Sequence, residues 1–395
     1  MSLSERLRRD IADAGPMPVA RWMALCNAHY YASRDPFGTA GDFTTAPEIS
    51  QMFGELVGLA LADCWVRAGS PPGVQLIELG PGRGTLMADA LRATARVPGF
   101  VPQVHFVETS PVLRAAQAER VPGAQWHSDV SKVPGDRPIL LITNEFFDAL
   151  PVRQFVRTPA GWRERLVAVV GEGFAPVVLE HPTSPSFPRR REPKVTEYPR
   201  DGRSPGPEMA TLGSRLRRND GGGEADGARS LNDERGIVPA DLWGAPVGTV
   251  WETSPISTAI ASDIGARLEA QGGAALIVDY GDAGGGATLQ AVRAHGFADP
   301  FTDPGEVDLT AHVDFCALMS AAGVAAHGPV GQGTWLRAVG IEARAAALKA
   351  RATAPQAAAI DAALLRLTGE EAMGVLFKVM GLSGGGWPAP AGFAA

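Results

Sequence analysis

The fold of this chain is decided by one short stretch, Leu76-Ile-Glu-Leu-Gly-Pro-Gly-Arg-Gly-Thr-Leu86. Residues 74–79 form a short and mostly apolar run, which is typical of a buried strand. The run leads into the glycine-rich residues 80–84, and residues 85–92 then carry apolar side chains at helical spacing. This pattern predicts a strand, a glycine turn and a helix. Glycines permit positive φ angles and close approach of a ligand, and the start of a helix offers unpaired N–H groups.

Two acidic residues indicate which ligand such a turn would bind. Gly80, Gly82 and Gly84 follow a Gly-x-Gly-x-Gly spacing and not the Gly-x-Gly-x-x-Gly spacing of dinucleotide sites, so NAD is poorly supported. Glu78 precedes the first glycine, where its carboxylate would repel a pyrophosphate but suit a cationic amino group or a ribose hydroxyl. Glu108 ends the next apolar run about 24 residues after Gly84, near the distance expected for a ribose-binding acid. These residues together predict a site for S-adenosylmethionine, whereas a glycine turn alone would fit a simple tight turn equally well.

Strands and helices alternate after this stretch. The apolar runs 74–79, 103–108, 124–128 and 138–144 are predicted strands, and the alternation favours an α/β fold with a doubly wound, mostly parallel sheet. Ligands of such sheets bind at the carboxyl ends of the strands. Asp129 follows the third strand and is a further candidate for cofactor binding. Glu145 and Asp148 follow the fourth strand and are the candidates for the reaction itself.

The composition is that of a globular protein and excludes several functional classes. The 395 residues suffice for one large or two modest domains, and the net charge of −7 gives no support for nucleic-acid binding. The three scattered cysteines and seven histidines show no metal-ligand spacing, so we expect no metal site and a reducing compartment. No apolar run approaches the roughly 20 residues of a membrane span. The charged start of the chain does not resemble a secretory signal and carries acids that transit peptides avoid, which predicts a cytoplasmic protein.

The chain divides into regions of different character. Residues 1–70 are predicted to be a helical region, and residues 71–395 hold the cofactor-binding domain. Residues 151–250 are predicted to be an inserted substrate module. Within it, residues 182–236 lack apolar periodicity and are rich in proline, glycine, serine and charge, which predicts a mobile insertion. The polar residues 288–315 are expected to form a connection to a later helix.

Seven stretches of the chain resemble the MidA family, the class I methyltransferases that include the mitochondrial complex I assembly arginine methyltransferase. The stretches are Tyr30-Tyr31, Gly41-Asp-Phe-Thr-Thr-Ala-Pro-Glu-Ile-Ser-Gln51, Glu78-Leu-Gly-Pro-Gly-Arg-Gly-Thr-Leu86, Asn144-Glu-Phe-Phe-Asp-Ala-Leu-Pro151, Val278-Asp-Tyr-Gly281, Asp308-Leu-Thr-Ala-His-Val-Asp-Phe315 and Gly331-Gln-Gly333. They span nearly the whole chain, and the insertion at 182–236 departs from the family pattern. The resemblance implies a Rossmann-like, seven-stranded methyltransferase sheet with a substrate module between the fourth and fifth strands. It also implies a protein substrate, with an arginine of a respiratory complex I subunit as one candidate.

Arginine methylation makes specific demands on the site. The guanidinium is always protonated at neutral pH and is therefore a poor nucleophile, so the enzyme must hold and align it. Glu145 and Asp148 could do so through bidentate hydrogen bonds, although acids at a strand end also serve in turns. Asp42 and His312 are the next candidates. A small-molecule methyltransferase, or an assembly factor that binds the cofactor without catalysis, remains an alternative, and the sequence leaves the oligomeric state open.

Overall fold

The computed structural model describes residues 1–33, 44–179, 195–197, 237–282, 284, 286–293 and 296–393. Nearly all of the predicted insertion 182–236 lies outside these residues, so its mobility stays a prediction. Asp42 lies outside them as well.

Helices flank the sheets of the molecule and also close the chain. The helices are α1 Leu3–Ala14, α2 Val19–Ser33, α3 Ala46–Ile49, α4 Gln51–Arg67, α5 Thr85–Thr94, α6 Pro111–Arg120, α7 Pro255–Gln271, α8 Phe315–Ala322, α9 Gln332–Ala338, α10 Ile341–Lys349, α11 Ala354–Thr368 and α12 Met373–Leu376. The strands are β1 Met17–Pro18, β2 Gln75–Leu79, β3 Gln103–Val107, β4 Gln125–His127, β5 Ile139–Asn144, β6 Arg153–Thr158, β7 Gly161–Val170, β8 Gly173–Leu179, β9 Val195–Glu197, β10 Val250–Thr253, β11 Gly273–Asp282, β12 Gln290–Arg293, β13 Gly296–Ala298, β14 Asp308–Thr310, β15 Val313–Asp314, β16 Ala325–Gly331 and β17 Phe377–Gly384.

The central sheet confirms the predicted α/β fold class. Its strand order is β16-β17-β11-β5-β2-β3-β4, and the five strands from β11 to β4 are parallel neighbours. Strand β17 runs antiparallel to both β11 and β16, so the sheet is mixed. The described sheet has eight strands where seven were expected, because the two residues of β15 also pair with the end of β11. The four strands predicted from the sequence all form, with ends within one residue of the prediction.

Both faces of the central strands β5 and β11 are buried, which explains why these two strands are mostly apolar. Leu76 and Leu140 pack with α4 and α5 on one face, while Ile77 and Leu141 pack with α7 and α8 on the other. Helix α4 lies directly on α5, because a Cβ atom at Gly58 would come within 2.6 Å of the Cβ of Ala90. This close packing fixes α5, and therefore the turn that leads into it.

Two smaller sheets accompany the central sheet. One has the order β10-β6-β7-β8-β9 with β1 beside β7, and the other has the order β13-β12-β14. The second sheet corrects the expectation of a polar connection at 288–315, because strands of three or four residues are too short to show alternation. Helices α1 and α2 share a core with β7 and β14, whereas α4 belongs to the central sheet. The predicted helical region 1–70 therefore contributes to two cores, and the domain boundaries stay a prediction.

Candidate active site

The glycine turn after β2 forms the cradle that the sequence predicts. Gly80, Gly82 and Gly84 have φ angles of 61°, 52° and 79°, all in the left-handed region that favours glycine. A Cβ atom at Gly80 would lie 2.8 Å from the ring of Phe146, so a side chain does not fit there. Gly84 is the N-cap of α5. The turn therefore presents backbone, and not side chains, to whatever lies above it.

A cavity of about 670 Å³ opens above this turn. It extends from Gly82, past Glu108 and Asp148, to Asp308 in the three-stranded sheet. The carboxyl ends of β2, β3 and β5 form its floor, which is where parallel α/β sheets bind their ligands. Its volume falls in the range of cofactor and ligand sites.

Glu108 is fixed at the wall of the cavity by hydrogen bonds to both carboxylate oxygens. The backbone N–H groups of Thr109 and Ser110 each donate to Oε1 at 2.7 Å, and Nε2 of Gln117 lies 3.4 Å from Oε2. Burial raises the pKa of Glu108 above its usual value, while these hydrogen bonds oppose the increase. A carboxylate held in this way can accept hydrogen bonds from the hydroxyls of a ribose.

Gln117 is a site residue that the sequence analysis missed. It is fully buried, its Nε2 donates to the carbonyl oxygen of Gly82 at 2.7 Å, and its Oε1 accepts from Nε1 of Trp126 at 2.8 Å. Gln117 thus connects the glycine turn to Glu108. The sequence does contain one indication of this role. Gln117 is a polar residue four positions after Leu113, on the apolar face of α6, where a polar side chain needs a buried partner.

Three of the six predicted cofactor residues do not line the cavity. Glu78 is buried in β2, its Oε2 has no hydrogen-bond partner among the described residues, and burial raises its pKa well above the usual value. Asp129 is exposed and accepts a hydrogen bond from the N–H of Ser131 at 2.7 Å. Hydrogen bonding from the Ser131 side chain, followed by that from its N–H, lowers the pKa of Asp129. The residues on the wall are Gly80, Gly82 and Glu108, and those off it are Glu78, Gly84 and Asp129. The roles of these six residues in cofactor binding stay predictions.

Glu145 lines the cavity at the end of β5 in an unusual backbone conformation. Its φ angle is 51°, a region that residues other than glycine adopt at a cost of about 1–3 kcal/mol. The N–H of Ala46 and Nδ2 of Asn144 both donate to its Oε1 at 3.1 Å. Burial raises the pKa of Glu145 to about 6. The turn therefore directs an acid of raised pKa at the cavity.

Asp148 and Asp308 add two buried carboxylates to the same wall. Asp148 is 6% exposed, and its Oδ1 has no hydrogen-bond partner among the described residues. Burial, followed by repulsion from Asp279 and Asp308, raises the pKa of Asp148 well above its usual value. Asp308 accepts a hydrogen bond from the hydroxyl of Tyr31 at 2.8 Å. Together with Glu145, three carboxylates therefore lie at this end of the cavity.

Asp279 shapes the turn that carries the two predicted catalytic acids. It is fully buried at the end of β11, and its Oδ2 accepts hydrogen bonds from the N–H groups of residues 146–148 at 2.9 to 3.3 Å. Its Oδ1 accepts from the N–H of Tyr280 at 2.9 Å. Burial, with a contribution from the charge of Glu145, raises the pKa of Asp279 to about 7.

The remaining walls come from α2, β11 and the three-stranded sheet. They include the polar side chains of Asn27, Tyr280 and Gln290, and no lysine, arginine or histidine is present among the described lining residues. His312 lies behind this wall, because its ring packs edge-on against Tyr280 with centroids 5.4 Å apart, and burial lowers its pKa. The cavity thus joins a glycine cradle to an acidic end.

A glycine turn after one of the parallel strands and an acid after the next, both on the wall of one cavity, are typical of α/β enzymes that bind a nucleoside cofactor. The sequence profile of a family described as S-adenosyl-L-methionine-dependent methyltransferase matches residues 56–330. The chain belongs to this family. The predicted enzyme class and cofactor are thereby confirmed.

Curated relatives and solved structures agree with this assignment. The chain is 34% identical to "Protein arginine methyltransferase NDUFAF7 homolog, mitochondrial" of Drosophila melanogaster, with 96% of this chain and 84% of that protein covered. It is 32% identical to the Homo sapiens protein arginine methyltransferase NDUFAF7, with 87% and 75% covered. A Burkholderia thailandensis protein solved with bound S-adenosyl-homocysteine has a TM-score of 0.72 and 26% identity, with 97% of this chain and 92% of that chain covered. The family resemblance inferred from the sequence is confirmed.

The predicted cytoplasmic location is wrong, because the curated relatives are named as mitochondrial proteins. The acids at the start of the chain were misread. Glu5 forms a capping box with Ser2 at the start of α1, and Leu7 of the same helix is fully buried. The negative charge of Glu5 therefore serves to cap α1, and it carries no information on the cellular compartment. No described helix has the length and apolar character needed to cross a membrane.

Proposed function

We propose that the chain transfers a methyl group from S-adenosylmethionine to the guanidinium of an arginine in a partner protein. The names of the curated relatives, which are protein arginine methyltransferases, support this proposal. A subunit of respiratory complex I, which the family resemblance implies, is the first partner to test. The observation that carries the proposal is Asp148, a buried acid whose Oδ1 lacks a partner among the described residues. The carboxylates of Glu145 and Asp308 lie at the same end of the cavity. A planar cation with several N–H donors would satisfy all three acids.

The cofactor fits the other end of the cavity. Gly80 and Gly82 leave the backbone open to a ligand, and Glu108 offers carboxylate oxygens where ribose hydroxyls would lie. When bound, the cofactor supplies a methyl group on a positively charged sulfur. The strand order with reversed β17 supports a further inference, that the central sheet is the class I methyltransferase sheet with β15 as an addition to its seven longer strands.

The acids would align and neutralise the guanidinium. Both hydrogen bonds described for the Glu145 carboxylate end on Oε1, which leaves Oε2 as the oxygen for the substrate. Asp148 would accept from a second nitrogen through Oδ1. As the new C–N bond forms and the C–S bond breaks, one proton leaves the attacking nitrogen and the product stays a cation. A carboxylate with the raised pKa of Glu145, about 6, is a better acceptor for that proton than an ordinary one.

Labelled methyl donor tests the proposal. The protein is incubated with the donor and a lysate of cells that lack it, and the products are analysed for methylarginine by mass spectrometry. We expect label on arginine in the protein fraction. Label found only in small molecules would instead support a small-molecule methyltransferase, and no label despite cofactor binding would support a noncatalytic assembly factor.

The Glu145→Gln variant tests the role of the acid. It should keep the fold and cofactor binding but lose most of kcat/KM, because the amide presents donors where the guanidinium also presents donors. Glu119→Gln, on the exposed face of α6, is the matched control. A substrate Arg→Lys change should also abolish transfer, since an ammonium cannot match the planar fork. Wild-type turnover in Glu145→Gln would remove this residue from the mechanism.

A further inference from the structure

The outer part of the cavity has apolar walls. Ala24, Ala28 and Ala32 lie on one face of α2 at four-residue intervals, line the cavity and are exposed. Val292 and Phe297 of the three-stranded sheet line it as well. A helix face made of alanines leaves room for the backbone of another chain to approach closely.

Two large apolar side chains at this cavity are exposed to solvent. Phe297 is 86% exposed and Leu376 is 52% exposed, and both line the cavity. Single exposed apolar residues are common on protein surfaces, but two on the wall of one ligand cavity indicate a surface that is covered on binding. The acids Asp148 and Asp308 lie in the same cavity.

We propose that these apolar walls bind an extended segment of the partner protein in which apolar residues flank the target arginine. The inference rests on the proposed function and names the kind of sequence that it modifies. The alanine face of α2 admits the segment backbone, and the flanking side chains cover Phe297 and Leu376. The arginine enters the acidic end of the cavity.

The charge of the cavity selects against other sequences. Four carboxylates line it, those of Glu108, Glu145, Asp148 and Asp308, and the described lining contains no basic residue that could pair with an acid. An Asp or Glu beside the target arginine would therefore be repelled by these carboxylates. Phe or Leu residues in the bound segment would bury apolar area and lose little side-chain entropy. They should therefore favour binding more than long polar side chains do.

A peptide library provides the test. Each peptide carries one central arginine. Across the library, the two positions on either side of this arginine are varied over all amino acids except cysteine and arginine. Methylated members are identified by mass spectrometry after reaction with labelled S-adenosylmethionine. The enzymes compared are wild type, Phe297→Asp and Val101→Asp. Val101 is the matched control, because it is 82% exposed and lies outside this cavity.

We expect wild type and Val101→Asp to favour apolar flanks and to disfavour acidic ones. Phe297→Asp should lower kcat/KM for apolar-flanked peptides by about tenfold and leave cofactor affinity unchanged. Equal methylation of all flanks, or equal behaviour of the two variants, would overturn the inference. Arginine methylation in the lysate together with no methylated peptide would also overturn it while sparing the proposed function. Absence of methylarginine from both would overturn the proposed function itself.

Discussion

The Oδ2 atom of Asp279 accepts a hydrogen bond from the backbone N–H of Phe147 at 2.9 Å. This bond joins the end of β11 to the turn after β5, and the same oxygen also receives the N–H groups of the residues on either side of Phe147. The turn begins at Glu145, whose positive φ angle costs energy that surrounding contacts must supply. Asp279 therefore holds the two predicted catalytic acids in place without lining the cavity.

Replacing Asp279 by alanine should disable the enzyme through this turn. Four N–H groups would lose this acceptor, three of them in the turn, so we expect a loss of stability on the order of 3 kcal/mol and a fall in kcat/KM of at least about 100-fold. Asp279→Asn keeps one acceptor oxygen and should lose less of both. Asp282→Ala, at the exposed end of the same strand, is the control. Thermal unfolding and initial rates measure the effects, and an Asp279→Ala variant with normal turnover would show that the turn needs no such support.

Asn27 should act as a positioning residue for the acidic end. Its Nδ2 donates to the carbonyl oxygens of Ala149 at 3.0 Å and Leu309 at 2.8 Å, and its Oδ1 accepts from the N–H of Leu309 at 3.2 Å. Ala149 follows Asp148 in the sequence, and Leu309 follows Asp308. The amide thus sets the separation of two cavity acids, one in the turn after β5 and the other in β14.

We therefore expect Asn27→Ala to lower kcat/KM for the arginine substrate by about 10- to 100-fold. Cofactor affinity should change less than twofold, because the glycine turn and Glu108 are not held by Asn27. Arg21→Ala, on the exposed face of the same helix, should leave both quantities unchanged. Parallel losses of cofactor affinity and turnover would indicate a general folding defect, and the positioning role would then be rejected.

Much of the cofactor half could be predicted from the sequence, because it depends on local chemistry. A buried strand, three glycines and an acid after the next strand lie within 34 residues, from Gln75 to Glu108. Gly80, Gly82 and Glu108 accordingly lie on the cavity wall. Glu78 and Asp129 do not, since burial in the sheet and capping of a short turn engage them locally, and sequence spacing cannot distinguish these uses.

The proposed substrate end of the cavity depends on contacts between segments that are distant in sequence. Local sequence patterns cannot predict such contacts. Tyr31 meets Asp308 across 277 positions of sequence, and Asn27 meets Leu309 across 282. The strands that carry Gln290 and Asp308 are three or four residues long and gave no periodic signal. Sequence analysis placed Glu145 and Asp148 at a strand end but could not find the third acid that joins them.

The cofactor site should be abolished by a branched side chain in the glycine turn. Gly82 has a φ angle of 52°, which valine adopts only with strain, and it lies on the cavity wall. Gly82→Val should therefore prevent binding of S-adenosylmethionine. Glu108→Ala should weaken binding by about 1–3 kcal/mol, the range for a lost charge-assisted hydrogen bond. Titration calorimetry measures the affinity of each variant for S-adenosylmethionine. Gly123→Ala, at a glycine of positive φ in a distant turn, controls for backbone strain alone. Unchanged affinity in Gly82→Val would refute the site assignment.

Turnover should increase with pH across the range in which the acids lose their protons. Burial raises the pKa of Glu145 to about 6, so the free enzyme carries a neutral acid there below pH 6 and a carboxylate above it. Only the carboxylate attracts the guanidinium, and kcat/KM should rise through an apparent pKa near 6. The value belongs to the interacting cluster and not to one residue. A rate profile that is flat from pH 5 to pH 8 would exclude a role for these charges.

The acid cluster should also lower the stability of the substrate-free protein at neutral and alkaline pH. Burial and neighbouring acids raise the pKa of Asp148 in the folded state, so the folded protein binds this proton more tightly than the unfolded chain. Stability is therefore lost as the pH rises above the unfolded-state pKa. Asp148→Asn removes this penalty and should raise Tm by about 2 °C at pH 8, with a smaller gain at pH 5, while activity is lost. Asp136→Asn, an exposed control, should show no such pH dependence. The alternative outcome is that the Tm of wild type and the Tm of Asp148→Asn fall by the same amount between pH 5 and pH 8. That outcome would show that the ionised Asp148 carboxyl does not destabilise the folded protein. A bound cation would then have no unfavourable charge at Asp148 to neutralise.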